Sequence, residues 1–114
     1  MDLEKFPDPM HPQAKHNYQV DWTDLLDGLS DTLTGTPTVV MDPDSETAPG
    51  LNITGVAIDG TSKKVQWNLD VDSGDWEDDA YKDGGVTVCF LVKADTVAGD
   101  DVVQQAQLVI HDQC

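Results

Sequence analysis

A chain of 114 residues has room for one domain, and at 39% hydrophobic it can bury a modest core. Asp and Glu number 22 against 6 Lys and Arg, a formal net charge of −16. A surface of that sign repels phosphate backbones and anionic lipid, which argues against nucleic acid and membrane partners.

The same charge suits a cationic partner surface or divalent cations, but a well-solvated surface of a secreted, halophilic or virion protein is the simpler expectation. No apolar stretch reaches the length of a membrane-spanning helix, and residues 1–17 lack the apolar core of a secretion signal. The expectation is a chain made in the cytoplasm and soluble there until it assembles or is released. The Asn52-Ile53-Thr54 glycosylation triplet is then read as chance. Cys89, in an apolar run, reads as a small buried hydrophobe, and the terminal Cys114 as frayed. Their spacing leaves a disulfide between them undecided.

Residues 1–15 carry Pro7, Pro9 and Pro12, so they form an extended arm laid on the domain or on a partner. The domain proper spans residues 16–114. Residues 18–22 alternate, with Tyr18, Val20 and Trp22 on one face of a first strand. Residues 23–28 form a helical turn closed by Gly28, and residues 31–34 add a short ladder piece. A β-branched stretch at 36–41 has Pro37 at its start, where a missing N–H is tolerated, and ends at Asp42-Pro43-Asp44. A third strand runs over 51–58, and Asp59-Gly60 turns it into the next, 64–71. There Val65, Trp67, Leu69 and Val71 alternate with polar residues, the clearest period of two in the chain. After the acidic loop 72–85, the near-continuous apolar run 86–94 predicts a central strand covered on both faces or nearly so. Gly99-Asp100 turns it into a final strand over 102–111.

Short strands about every ten residues, with turn residues between, predict an all-β sandwich or barrel. Within it, Asp70, Asp72, Asp75 and Glu77 are candidate calcium ligands, since hard carboxylate oxygens at that density suit the ion. An EF-hand is excluded. It needs glycine at its sixth position and glutamate at its twelfth, whereas counting from Asp70 finds glycine fifth and Tyr81 twelfth. A solvated acidic loop is therefore the favoured reading, and no cofactor is expected. His11, His16 and His111 stand in no metal-ligand spacing, and no nucleophile has a nearby base, so an enzyme is not expected. Trp22 and Trp67 belong to the core. Trp76, amid acids, either caps the core or anchors a partner.

Residues 18–26, with Val20-Asp21-Trp22 followed by Asp31-Thr32-Leu33, resemble the first strand and turn of the small immunoglobulin-like virion proteins of tailed bacteriophages. The stretch 84–110, GGVTVCFLVKADTVAGDDVVQQAQLVI, is similar to that family's closing hairpin, in which a strand ending Thr-x-Ala-Gly turns back. The likeness covers most of residues 16–112. The chain departs from the family in its long acidic loop at 70–85 and in a final strand bearing Gln104, Gln105 and Gln107 at outward positions where the family is basic.

The resemblance implies an immunoglobulin-like antiparallel β-sandwich of about seven strands with an extended N-terminal arm. It implies a non-enzymatic structural or accessory protein on the capsid or at a head–tail or fibre junction. The partners would be other virion proteins (capsid, neck or fibre), with many copies or a homo-oligomer on a symmetric particle. Docking residues would be Phe6, Met10 and His11 of the arm, by strand addition to a partner sheet, together with Trp76. The alternative is a calcium-dependent adhesion or carbohydrate-binding β-sandwich module.

Overall fold

Where the sequence alternates most regularly, the structure builds its two facing sheets. The computed structural model describes residues 4–6, 8–43 and 45–112. Its strands are β1 (Glu4–Lys5), β2 (His16–Asp21), β3 (Leu33–Met41), β4 (Leu51–Ile58), β5 (Lys64–Val71), β6 (Val86–Thr96) and β7 (Asp101–Ile110). One helix, α1 (Thr23–Leu29), joins β2 to β3, and two single 3-10 turns, Ser73–Asp75 and Asp79–Tyr81, lie between β5 and β6. The protein is all-β in class. Strands β2-β5-β4 make one antiparallel sheet and β7-β6-β3 the other, with two-residue β1 added parallel to the free edge of β7. Six strands of six residues or more therefore form the sheets, against about seven expected.

The core lies between the sheets. Strand β5 sends Val65, Trp67, Leu69 and Val71 inward, and β6 sends Val88, Phe90, Val92 and Ala94 to meet them. The Trp67 and Phe90 rings touch across the gap, with centroids 6.1 Å apart. Each large side chain hidden this way contributes about 1.5–3 kcal/mol, so these two strands carry much of the fold.

Several connections differ from expectation for local reasons. The pieces expected at 31–34 and 36–41 merge into one strand, β3, which starts at Leu33 and whose register shifts between Thr34 and Thr38. Gly35 sits there at φ +75°, and Pro37 has no N–H to give, so the sheet edge accommodates a bulge instead of ending. Helix α1 closes two residues past Gly28, at Ser30 in the left-handed region, and the Asp31 N–H then returns to Leu26 O at 2.9 Å. Within this helix Leu26 is the residue turned into the core, where it is fully buried.

The stretch read as an arm is laid on the domain itself. The Phe6 N–H donates to Gln107 O, Met10 N–H to Val109 O, and His111 N–H back to Met10 O, at 2.9–3.0 Å. The edge of β7 would otherwise leave those groups unpaired. Met10 and Pro12 are buried, so the core draws on residues placed outside the domain by the proline spacing. Cys114, and with it the question of a disulfide, lies outside the described residues. Among those residues no helix is long and apolar enough to cross a membrane.

Candidate functional site

The acidic loop is folded down onto the core. Tyr81 anchors it: the ring is fully buried and its hydroxyl donates to Pro49 O. Burial, and then the Asp75 and Asp78 carboxylates, push that phenol up to about 12. The Trp76 indole N–H donates to Val71 O at 2.8 Å, and its half-buried ring packs on the core. Trp76 thus caps the core rather than standing free as a partner anchor. The Asp78 carboxylate accepts from Ala80 N at 2.9 Å, opening the second 3-10 turn. Gly85 brings the chain back into β6 at φ +73°, where a Cβ would collide with Ile110 O.

The four candidate calcium ligands do not converge. Asp70 lies on the outer face of β5 opposite Asn52, Asp72 accepts from Asn52 Nδ2 at 2.8 Å, and Glu77 points to solvent. Among the described residues no group of three or more His, Cys, Asp or Glu side chains is placed to hold a metal ion. Carboxylates that neighbour in sequence are spread by the strand's alternation and by two tight turns.

The N-terminal candidates meet different fates. Met10 is fully buried and inaccessible to a partner. His11 accepts from Gln13 N at Nδ1 (3.1 Å) and pairs through Nε2 with Asp112 at 3.3 Å, tying the segment to the end of β7. Phe6 is half-buried, its ring 4.8 Å from Tyr18 and 6.1 Å from Trp67. Of the three, Phe6 and His11 keep an accessible side.

The surface that sequence reasoning missed is the outer face of the β7-β6-β3 sheet. Thr38 and Val40 of β3, Thr87, Cys89, Leu91 and Lys93 of β6, and Val103, Gln105, Gln107 and Val109 of β7 all point outward there. Register aligns Val40 with Leu91 and Gln105, and Thr38 with Lys93 and Val103. Val40 and Val103 are 50% and 41% exposed. The run expected to be covered on both faces is covered on one, and Cys89 is half-exposed on the other. Gln104 departs from the outward reading in the opposite sense: it points inward, buried, and its Nε2 donates to Gln105 O at 2.9 Å.

One group of charges on this face lies at its hairpin end. Asp95 and Asp101 face each other across β6 and β7. The hydrogen bond and negative charge of Asp101 hold the Asp95 carboxyl above its ordinary value. The bond from Asp95 and the Lys93 ammonium, 3.5 Å away, hold Asp101 below its own. Beyond Lys93 the strands' own outward residues are neutral, but carboxylates of the β3–β4 loop flank them: Asp42 accepts from Gln105 Nε2 at 3.4 Å and Glu46 from Thr87 N at 2.6 Å. Strict alternation within 86–96 and 101–110 was the available signal, since it assigns an apolar set to each face.

Beyond the end of β3, the β3–β4 loop completes this sheet with side chains. Glu46 accepts from Thr87 N at 2.6 Å and Ser45 Oγ from Cys89 N at 2.9 Å, while Asp42 N–H donates to Cys89 O. The first half of β6 is thereby closed to pairing on its free side.

No protein-family model matches the chain, and no curated protein matches it in sequence.

Proposed function

We propose that the chain is a non-enzymatic structural or accessory protein of a tailed-phage virion, an immunoglobulin-like sandwich fixed to its particle through the outer face of the β7-β6-β3 sheet. The observation that carries this reading is the partly apolar face itself, whose neutral residues stand between Lys93 and the flanking Asp42 and Glu46 carboxylates. On a molecule of net charge −16, a strip holding exposed Val40 and Val103 and half-exposed Leu91 and Cys89 is the surface best suited to be covered.

The strand order supports the immunoglobulin-like part. In immunoglobulin sandwiches the strands lettered B, E and D share one sheet and C, F and G the other. Strands β2 to β7, lettered B to G in chain order, divide the same way. The short first strand differs, since it lies beside β7 instead of joining the other sheet. Many copies on a symmetric lattice would make a small face sufficient, because weak contacts add through avidity.

Purified particles of the phage encoding the chain, digested and quantified by mass spectrometry, test the reading. A fixed copy number relative to the major capsid protein is expected. A chain found only in the infected-cell lysate and not in particles overturns it.

A second reading, a carbohydrate-binding module, is favoured by the opposite sheet. Its outer face aligns Asn17 with Asn68 and Thr54, and Gln19 with Gln66, a row of amides able to hydrogen-bond hydroxyls. Retention of the protein on a glycan array, abolished by Asn68→Ala, would favour it over the virion role.

A further inference from the structure

Where the N-terminal segment crosses β2, Phe6, Asp8, Pro9, His16 and Tyr18 line an open depression of about 240 Å3. The backbone holds Phe6 in place through its N–H to Gln107 O. Its ring is tilted 48° to Tyr18 at 4.8 Å, and His16 meets Tyr18 from another side at 6.2 Å and 61°. Trp67 backs Phe6 and Tyr18 from the core, at 6.1 and 6.4 Å.

The volume falls just below the roughly 300 Å3 at which ligand pockets begin, and it suits a single side chain. The chemistry selects which one. Aromatic faces present negative charge to a cation, and a carboxylate in the same depression adds direct ionic attraction. Lys5 and Lys15, although near in sequence, do not line the depression, so among the described residues no lysine or arginine fills it. The net charge of −16 draws positively charged surfaces from a distance.

We propose that this depression takes a lysine or arginine side chain projecting from a partner protein, its cationic head lying over Tyr18 and Phe6 and paired with the Asp8 carboxylate. The site is independent of the virion reading, since any partner presenting an accessible basic side chain satisfies it. It also gives Phe6 a defined role that the expected strand addition did not supply.

The test is titration of the isotopically labelled full chain with Nα-acetyl-lysine methylamide and, separately, its arginine analogue, following backbone amide shifts by NMR. Nα-acetyl-norleucine methylamide, with a similar stem and no charge, is the control. Saturable shifts are expected at Phe6, Asp8, His16 and Tyr18 with the cationic probes and not with norleucine. Asp8→Asn, an exposed change that leaves the core intact, is expected to weaken binding roughly three-fold, the range of an exposed ion pair. Phe6→Leu, which keeps apolar volume against Trp67, is expected to weaken it by a similar factor. The proposal is overturned if lysine shifts these amides no more than norleucine does. It is equally overturned if the shifts centre on the acidic loop 72–83 and persist unchanged in Asp8→Asn.

Discussion

The amide of Cys89 donates to Ser45 Oγ at 2.9 Å, so a loop hydroxyl stands where a neighbouring strand's carbonyl would otherwise be. Two residues earlier on β6, Glu46 does the same for Thr87 at 2.6 Å. The sheet edge is closed by side chains, which is one way to keep a strand from pairing with another molecule.

Ser45→Ala removes that acceptor and leaves the Cys89 N–H unpaired. The expected cost is about 1 kcal/mol, with faster hydrogen exchange at Cys89 and little change at Val88 or Phe90. Unchanged exchange at Cys89 would show that the Ser45 hydroxyl does not protect this edge.

Met10→Ala separates an integral N-terminal segment from an appended arm. Met10 is fully buried among core residues, so truncation should cost about 2–5 kcal/mol. For a domain whose total stability is about 5–15 kcal/mol, that loss is read easily from the urea midpoint. A change below about 0.5 kcal/mol, the usual effect of a surface substitution, would mean that the segment contributes no core.

Tyr81 predicts alkaline behaviour. The folded chain holds this phenol at about 12, against about 10 for an unperturbed tyrosine. The folded state therefore binds the proton more tightly than the unfolded one. The stability this contributes is complete below about pH 10 and is lost as pH rises to about 12. Urea midpoints across that window should fall more steeply for the native chain than for Tyr81→Phe. Equal slopes would contradict the assignment. The substitution should also lower stability at neutral pH, because Pro49 O loses its donor.

Much of the fold was legible where alternation is strict. Residues 64–71 and the 86–110 hairpin read correctly because a period of two has few other physical solutions. The acidic loop read correctly as a loop, but its order comes from Tyr81 and Trp76 reaching the core, and contacts over such sequence distances leave no local pattern. Met10 was missed for the same reason: proline spacing reports an extended chain and is silent on which edge it pairs with. Gln104 was legible and misread, since neighbours on a strand point to opposite faces and Gln104 and Gln105 could not both face out. The partly apolar outer face was hidden by taking a continuous apolar run to mean two covered faces. Here it means one core face and one face left open.

That open face carries the central claim, and the double variant Val40→Glu with Val103→Glu tests it most directly. Both side chains are exposed, so the change should cost no more than about 1 kcal/mol in folding, checked by thermal melting. Particles assembled with the variant should carry it at no more than about one-tenth of the native copy number, as expected when like charge is forced into a contact surface. Incorporation equal to that of the native chain, with the variant folded, would contradict attachment through this face.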